Sequence, residues 1–226
     1  LMTKGIKESA IKLMDLKEKK ETPSIAILPF ENKGADEDAF YAYGIVADLI
    51  SDVTGAGLIR VAGLKDVEKI DHATMSYDEM SKTLLVRYVA QGTLWKLGSM
   101  FQLSLEIFDT QLSKVIYTRR WQTQWDKLTT IKDDLSSNIL ETLETEVNRN
   151  DTKNIVINPE AYEFYLKGKY AWDKTQSLEE TKIAQGLLEK ATELDENLIA
   201  AKRIIANIYR DFGEIKKAKE LHLEAL

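Results

Sequence analysis

The sequence predicts a mixed-sheet α/β domain followed by an all-α array of helical hairpins. Three observations predict it. Ile25-Ala-Ile-Leu28 is a short, wholly apolar run closed by Pro29, the pattern of a strand covered on both faces. Phe101, Leu103, Leu105 and Ile107 alternate with Gln102, Ser104 and Glu106, the period of a half-buried strand. Near the end, Ala184, Leu187 and Ala191 recur as Ala218, Leu221 and Ala225, each displaced by 34 residues, a repeat length of paired helices.

Composition narrows the function classes. At 226 residues the chain suits two units better than one, on a prior of roughly 150 residues per domain. No apolar stretch approaches the ~18 residues that a membrane-spanning helix requires, so no membrane contact is expected. The absence of cysteine excludes disulfides and thiolate metal sites. A net charge of −6 argues against a general nucleic-acid binder, which needs clustered cations to displace counterions from phosphates. The chain opens on Leu1 without a secretory signal pattern and reads as an internal piece of a longer polypeptide. A cytoplasmic location is expected, with the periplasm left open should a membrane helix lie upstream.

Taken in order, residues 1–23 form a connector. Ile6, Ala10, Leu13 and Met14 give it a narrow amphipathic helix that Glu21-Thr22-Pro23 ends. The apolar run then supplies the first strand, stopping near Phe30. Phe40, Tyr43, Ala47 and Ile50 recur at helical spacing, with Asp36, Glu37 and Asp38 where a helix start favours negative charge. The Gly55-Ala-Gly57 turn stops this helix, and Leu58 to Ala62 is a second strand, which makes a right-handed βαβ unit. Helical turns follow at 65–70 and 77–84. Val86 to Leu97 and Phe101 to Asp109 form a hairpin about Gly98-Ser99, and the chain returns through Val115, Tyr117 and Trp121. Asp126 is placed to cap a helix whose stripe is Leu128, Ile131, Leu135, Ile139 and Leu143. The wholly polar stretch 148–154 marks a boundary, giving an α/β domain over 24–147, a linker over 148–157 and helical repeats over 158–226.

The segments Ser24 to Asn32, Gly44 to Ile50, Leu58 to Val61, Val86 to Gly92 and Phe101 to Asp109 together resemble the TolB amino-terminal-like domain. The resemblance covers about Ser24 to Val147. It implies a mixed-sheet α/β fold, of the kind that follows class III adenylate or guanylate cyclases and other signalling domains in bacterial chains, and it carries no catalytic motif. The chain departs from the family at Gly44-Ile-Val-Ala-Asp-Leu49 and at Lys96-Leu-Gly-Ser99.

The C-terminal part is similar to tetratricopeptide (TPR) repeats. Asn158 to Gly168 looks like the first helix of one repeat, with Gly168 permitting close helix packing, Ala206 answering it in the next, and Gly213 supplying a turn. The last residues, Leu223, Ala225 and Leu226, are apolar, so further repeats or self-association into a homodimer are expected.

Catalytic patterns are wanting. A serine nucleophile would need a base, and His72 and His222 fall in different units; the first reads as a surface residue, the second as a packing residue. Gly55-Ala-Gly57 follows a helix and precedes a strand, the reverse of a dinucleotide fingerprint. Asp36 with Asp38, and Asp133 with Asp134, suit a helix start and a solvated helix face better than a metal or acid–base pair. No catalytic residue, metal or cofactor is therefore expected. The sharper pattern lies in the repeats, where the groove-facing spacing selects Tyr165, Lys169 and Trp172 from one repeat and Arg203, Asn207 and Arg210 from the next. Arg203 followed by Asn207 is similar to the clamp by which some such repeats hold a peptide carboxylate, the guanidinium supplying a fork of donors. The chain thus reads as a non-catalytic regulatory region that docks a protein or peptide. The alternative is a small-molecule sensor with a polar pocket near Asn32 and Gly63.

Overall fold

The computed structural model describes residues 22–143 and 157–224. The connector helix expected at residues 5–20 and all of the linker except Ile157 lie outside the described residues, as do Val147 and Ala225.

Strand β1 (Ser24–Ile27) is central in a six-stranded mixed sheet of order β3-β1-β4-β5-β6. The two-residue β2 (Glu31–Asn32) runs parallel to β4 (Tyr88–Leu97) and is an element the sequence reading lacked. Both β3 (Arg60–Val61) and β4 run parallel to β1, whereas β5 (Met100–Asp109) and β6 (Lys114–Gln124) continue antiparallel. The apolar run of β1 is continuous because each face has its own cover. Ile25 and Ile27 point into one buried cluster, Ala26 and Leu28 into another.

The larger cluster lies beneath α1 (Ala39–Gly55) and α4 (Leu128–Thr142). The smaller one lies beneath α2 (Leu64–Glu68) and α3 (Tyr77–Leu84). Helix α3 begins on a full capping box: the Ser76 hydroxyl accepts from the Glu79 amide while the Glu79 carboxylate accepts from the Ser76 amide. Helix α4 has no such cap, a correction to the role expected of Asp126. That residue sits inside a 3-10 turn over Trp125–Lys127, and Lys127 takes the cap position. The β5–β6 turn is held by Asp109, whose buried carboxylate accepts from the Arg87 guanidinium and from the amides of Gln111 and Leu112. Burial alone would raise its pKa, but these donors hold it below the ordinary value.

Four helices follow, α5 (Pro159–Lys174), α6 (Leu178–Leu194), α7 (Ile199–Asp211) and α8 (Ile215–Glu224), each packed on its predecessor. Asn158 caps α5 through the amides of Glu160 and Ala161. Gly168 sets the α5–α6 approach, because a Cβ there would lie 2.7 Å from Cγ of Leu188. The recurring Ala184, Ala191 and Ala218 are buried, whereas His222 is exposed on α8, contrary to the packing role its repeat position suggested. The larger cluster does not stop at the sheet; it runs without a break through Tyr162 and Leu166 to Leu188, Ile205 and Ile208.

One glycine controls the curvature of the hairpin. A Cβ on Gly92 would meet the Ser104 carbonyl oxygen at 2.5 Å and the Phe30 ring at 2.7 Å, so neither backbone nor core can yield cheaply. Gly92→Ala is expected to destabilise the chain by about 1–3 kcal/mol in urea unfolding, through overpacking.

Candidate functional site

The junction between the sheet unit and the helical pairs is where the described residues concentrate buried polar chemistry. Helix α1 was expected to bury one stripe, yet Tyr41, Gly44, Ile45, Asp48 and Leu49 are buried as well. The reason is α5, which crosses the outer side of α1. Gly44 makes that crossing possible: a Cβ would stand 2.5 Å from Cδ2 of Leu166 and 3.3 Å from its Cβ.

Asp48 lies one turn further along α1 and is only 7% exposed. Its carboxylate accepts from the hydroxyl of Tyr162 at 2.9 Å, the hydroxyl of Tyr165 at 2.6 Å and Nζ of Lys169 at 2.7 Å. Three donors spaced along one helix thus meet a single acid on another. Burial, followed by the charge of Asp48, pushes both phenols well above their ordinary range, so they stay protonated and remain donors. On the next turn of α1, Asp52 pairs with Lys132 of α4 at 2.8 Å. Burial raises the Asp52 pKa despite that partner; burial would lower Lys132, but Asp52 more than offsets it.

A second set of contacts stands at the other end of the crossing. Lys96, near the end of β4, donates to buried Asp38 at 2.8 Å and lies over the Tyr41 ring at 5.3 Å. Tyr41 accepts from Nε1 of Trp125 at 3.3 Å. From α5, Lys167 donates to Glu163 at 2.6 Å and covers the Phe40 ring. Burial would raise the Glu163 carboxyl, but the hydrogen bonds from Lys167 and Tyr41 bring it below the usual value.

The six residues selected as a peptide groove are therefore divided. Tyr165 and Lys169 are turned onto Asp48, which corrects the expectation that they line an open groove: α1 covers that face of α5 because Asp48 and Gly44 fit it. Trp172 is partly buried against the same core. On α7, Arg203 is exposed, Asn207 half-buried, and Arg210 exposed with its guanidinium 3.2 Å from Asp211. Asp48 was not singled out from the sequence; an acidic residue four positions before Asp52 on a largely apolar helix was the available signal. Asn32 serves its own turn, accepting from the Gly34 amide and donating to the Ala35 carbonyl. A shallow recess of about 340 Å³ lies instead among α6, α7 and α8, lined by Lys202, Tyr209 and Lys217 together with Glu196, Glu220 and Glu224. Among the described residues no cluster of His, Asp or Glu is arranged to hold a metal, and no helix is long and apolar enough to cross a membrane.

No family profile matches the chain. A Rhizobium meliloti (strain 1021) protein that carries the name of an adenylate cyclase is 24% identical over 185 residues, which cover 79% of this chain and 31% of that protein. The chain thus spans about a third of the length of this relative. Among solved structures, TolB from Acinetobacter baumannii aligns with a TM-score of 0.42 and 13% identity over 55% of this chain and 29% of that one. A lipoprotein from Neisseria meningitidis aligns with a TM-score of 0.41 and 12% identity over 53% of this chain and 99% of that one.

Replacing Asp48 by alanine strands a buried ammonium and two phenol hydroxyls. Asp48→Ala is expected to cost about 3–5 kcal/mol in urea unfolding; a loss below about 1 kcal/mol would show that the cluster does not fasten the junction. The Glu163 shift has a definite sign. Its folded-state pKa lies below the ordinary 4.5, so its stabilisation is complete above that value and drains as pH falls through the lower folded value. Glu163→Gln is accordingly expected to flatten the acid limb of the melting midpoint, measured by circular dichroism from neutral pH downward.

Proposed function

We propose that this chain is a non-catalytic regulatory and docking region of a larger bacterial signalling protein, with a nucleotidyl cyclase as its output. The observation that carries the reading is the match of most of this chain to under a third of a protein named as an adenylate cyclase. The corresponding region is an accessory part, and the output activity belongs to the remainder of the longer chain. In this reading α5–α8 are two TPR-type hairpins, supported by the 34-residue recurrence of Ala184 and Leu187 and by the close contact at Gly168. The Asp48 cluster ties the first of those hairpins to the sheet unit, so a partner held by the helices reorients both together. The docking face is that of α7, where Arg203 and Arg210 are exposed and Asn207 lies between them on the same side of the helix.

Removing both guanidinium groups tests this. Arg203→Ala with Arg210→Ala is expected to weaken binding of peptides ending in a free carboxylate by about a hundredfold or more, since charge-assisted contacts are worth roughly 1.5–3 kcal/mol each. Fluorescence titration against such peptides, with amidated counterparts as controls, checks it; equal affinity before and after substitution would reject the face.

A further inference from the structure

Strand β6 is the longest strand of the sheet and, among the described residues, forms one of its edges with β5 as its one strand partner. Along Lys114 to Gln124 the outer row of amides and carbonyls is therefore paired to no described strand. The strand holds no proline or glycine, and its bulge is confined to the pairing near Ile107/Phe108, leaving the stretch from Thr118 onward regular. It carries three cations, Lys114, Arg119 and Arg120, and no acid, in a chain whose net charge is −6.

We propose that the outer edge of β6 takes an extended acidic segment of a partner polypeptide as an added strand. The backbone ladder supplies affinity without regard to sequence, while alternate side chains supply selectivity. Carboxylates on one face of the added strand fall beside Arg120 and Thr118, and on the other beside Arg119, whose guanidinium also donates to Asn138 of α4 and lies over the Trp121 ring. A second copy of β6 is the poorer occupant, because antiparallel self-pairing about the strand centre sets Arg119 directly opposite its own equivalent, and like charges placed opposite each other repel. The proposal does not depend on the reading of the helical pairs; it concerns the opposite margin of the sheet unit.

The test uses the whole chain and a labelled synthetic peptide of alternating Glu and Val, titrated at physiological salt. Saturable binding is expected, together with slowed hydrogen exchange over 114–124, and Arg120→Glu is expected to weaken it about tenfold. Arg120 is exposed and makes no ion pair among the described residues, so this variant should keep its melting midpoint, and that is measured alongside. A peptide methylated on every backbone nitrogen separates strand addition from plain charge attraction, because it keeps the carboxylates but has no amide left to donate to the ladder; it should fail to bind. The proposal is overturned by any of four results: no saturation up to about 1 mM; equal binding of the methylated peptide; equal binding of a length-matched polyuridylate; or a dimer in sedimentation that itself protects 114–124.

Discussion

The crossing of α1 and α5 is the constraint on which the rest of the chain is arranged. A glycine at position 44 lets the two helices approach until Leu166 rests on the backbone of α1, and at that separation the phenols of Tyr162 and Tyr165 reach the carboxylate of Asp48. A buried charge is tolerated only when paired and fully hydrogen-bonded. Asp48 meets that condition with two neutral donors and one ammonium, all from α5. The cluster specifies which face of α5 turns inward, since rotating the helix by a third of a turn would remove all three donors together.

From that crossing the packing propagates in both directions. Toward the sheet, α1 hands the contact to Phe101, Leu103 and Leu105 and, through the Asp52–Lys132 pair, to α4. Toward the C-terminus, α5 hands it through Gly168 and Leu188 to α6, and Ile205 and Ile208 of α7 complete the cluster. A continuous core of this kind couples the orientation of the helical pairs to the sheet. Helix α7 and strand β6 carry exposed cations, Arg203 and Arg210 on the first and Arg119 and Arg120 on the second.

Local pattern foretold the strands and most helices closely. Helix α3 matches the helical turns expected at 77–84, and the structure adds the capping box of Ser76 and Glu79 at its start; the β4–β5 hairpin was legible because alternation and a Gly-Ser turn agree. Three features were not. Strand β2 has two residues and exists only because β4 extends past the end of β1 to receive it. Asp126 resembles a cap but is drawn into a 3-10 turn by the approach of Trp125 to Tyr41. His222 occupies a repeat position that was read as packing but stands exposed on α8.

The candidate site shows the same division with a clearer cause. Helical spacing correctly places Tyr165 and Lys169 on one face of α5, and Arg203, Asn207 and Arg210 on one face of α7. What covers each face is a matter of which surfaces meet, and no periodicity encodes that. Sequence by itself determined most of the helices with their apolar stripes and the alternation of the longer strands, because helical hydrogen bonds and side-chain periodicity depend on neighbours four positions away at most. Tertiary structure alone decided that Asp48 would accept from Tyr162, Tyr165 and Lys169, because those groups are more than 110 positions away along the chain and are joined only by helix packing.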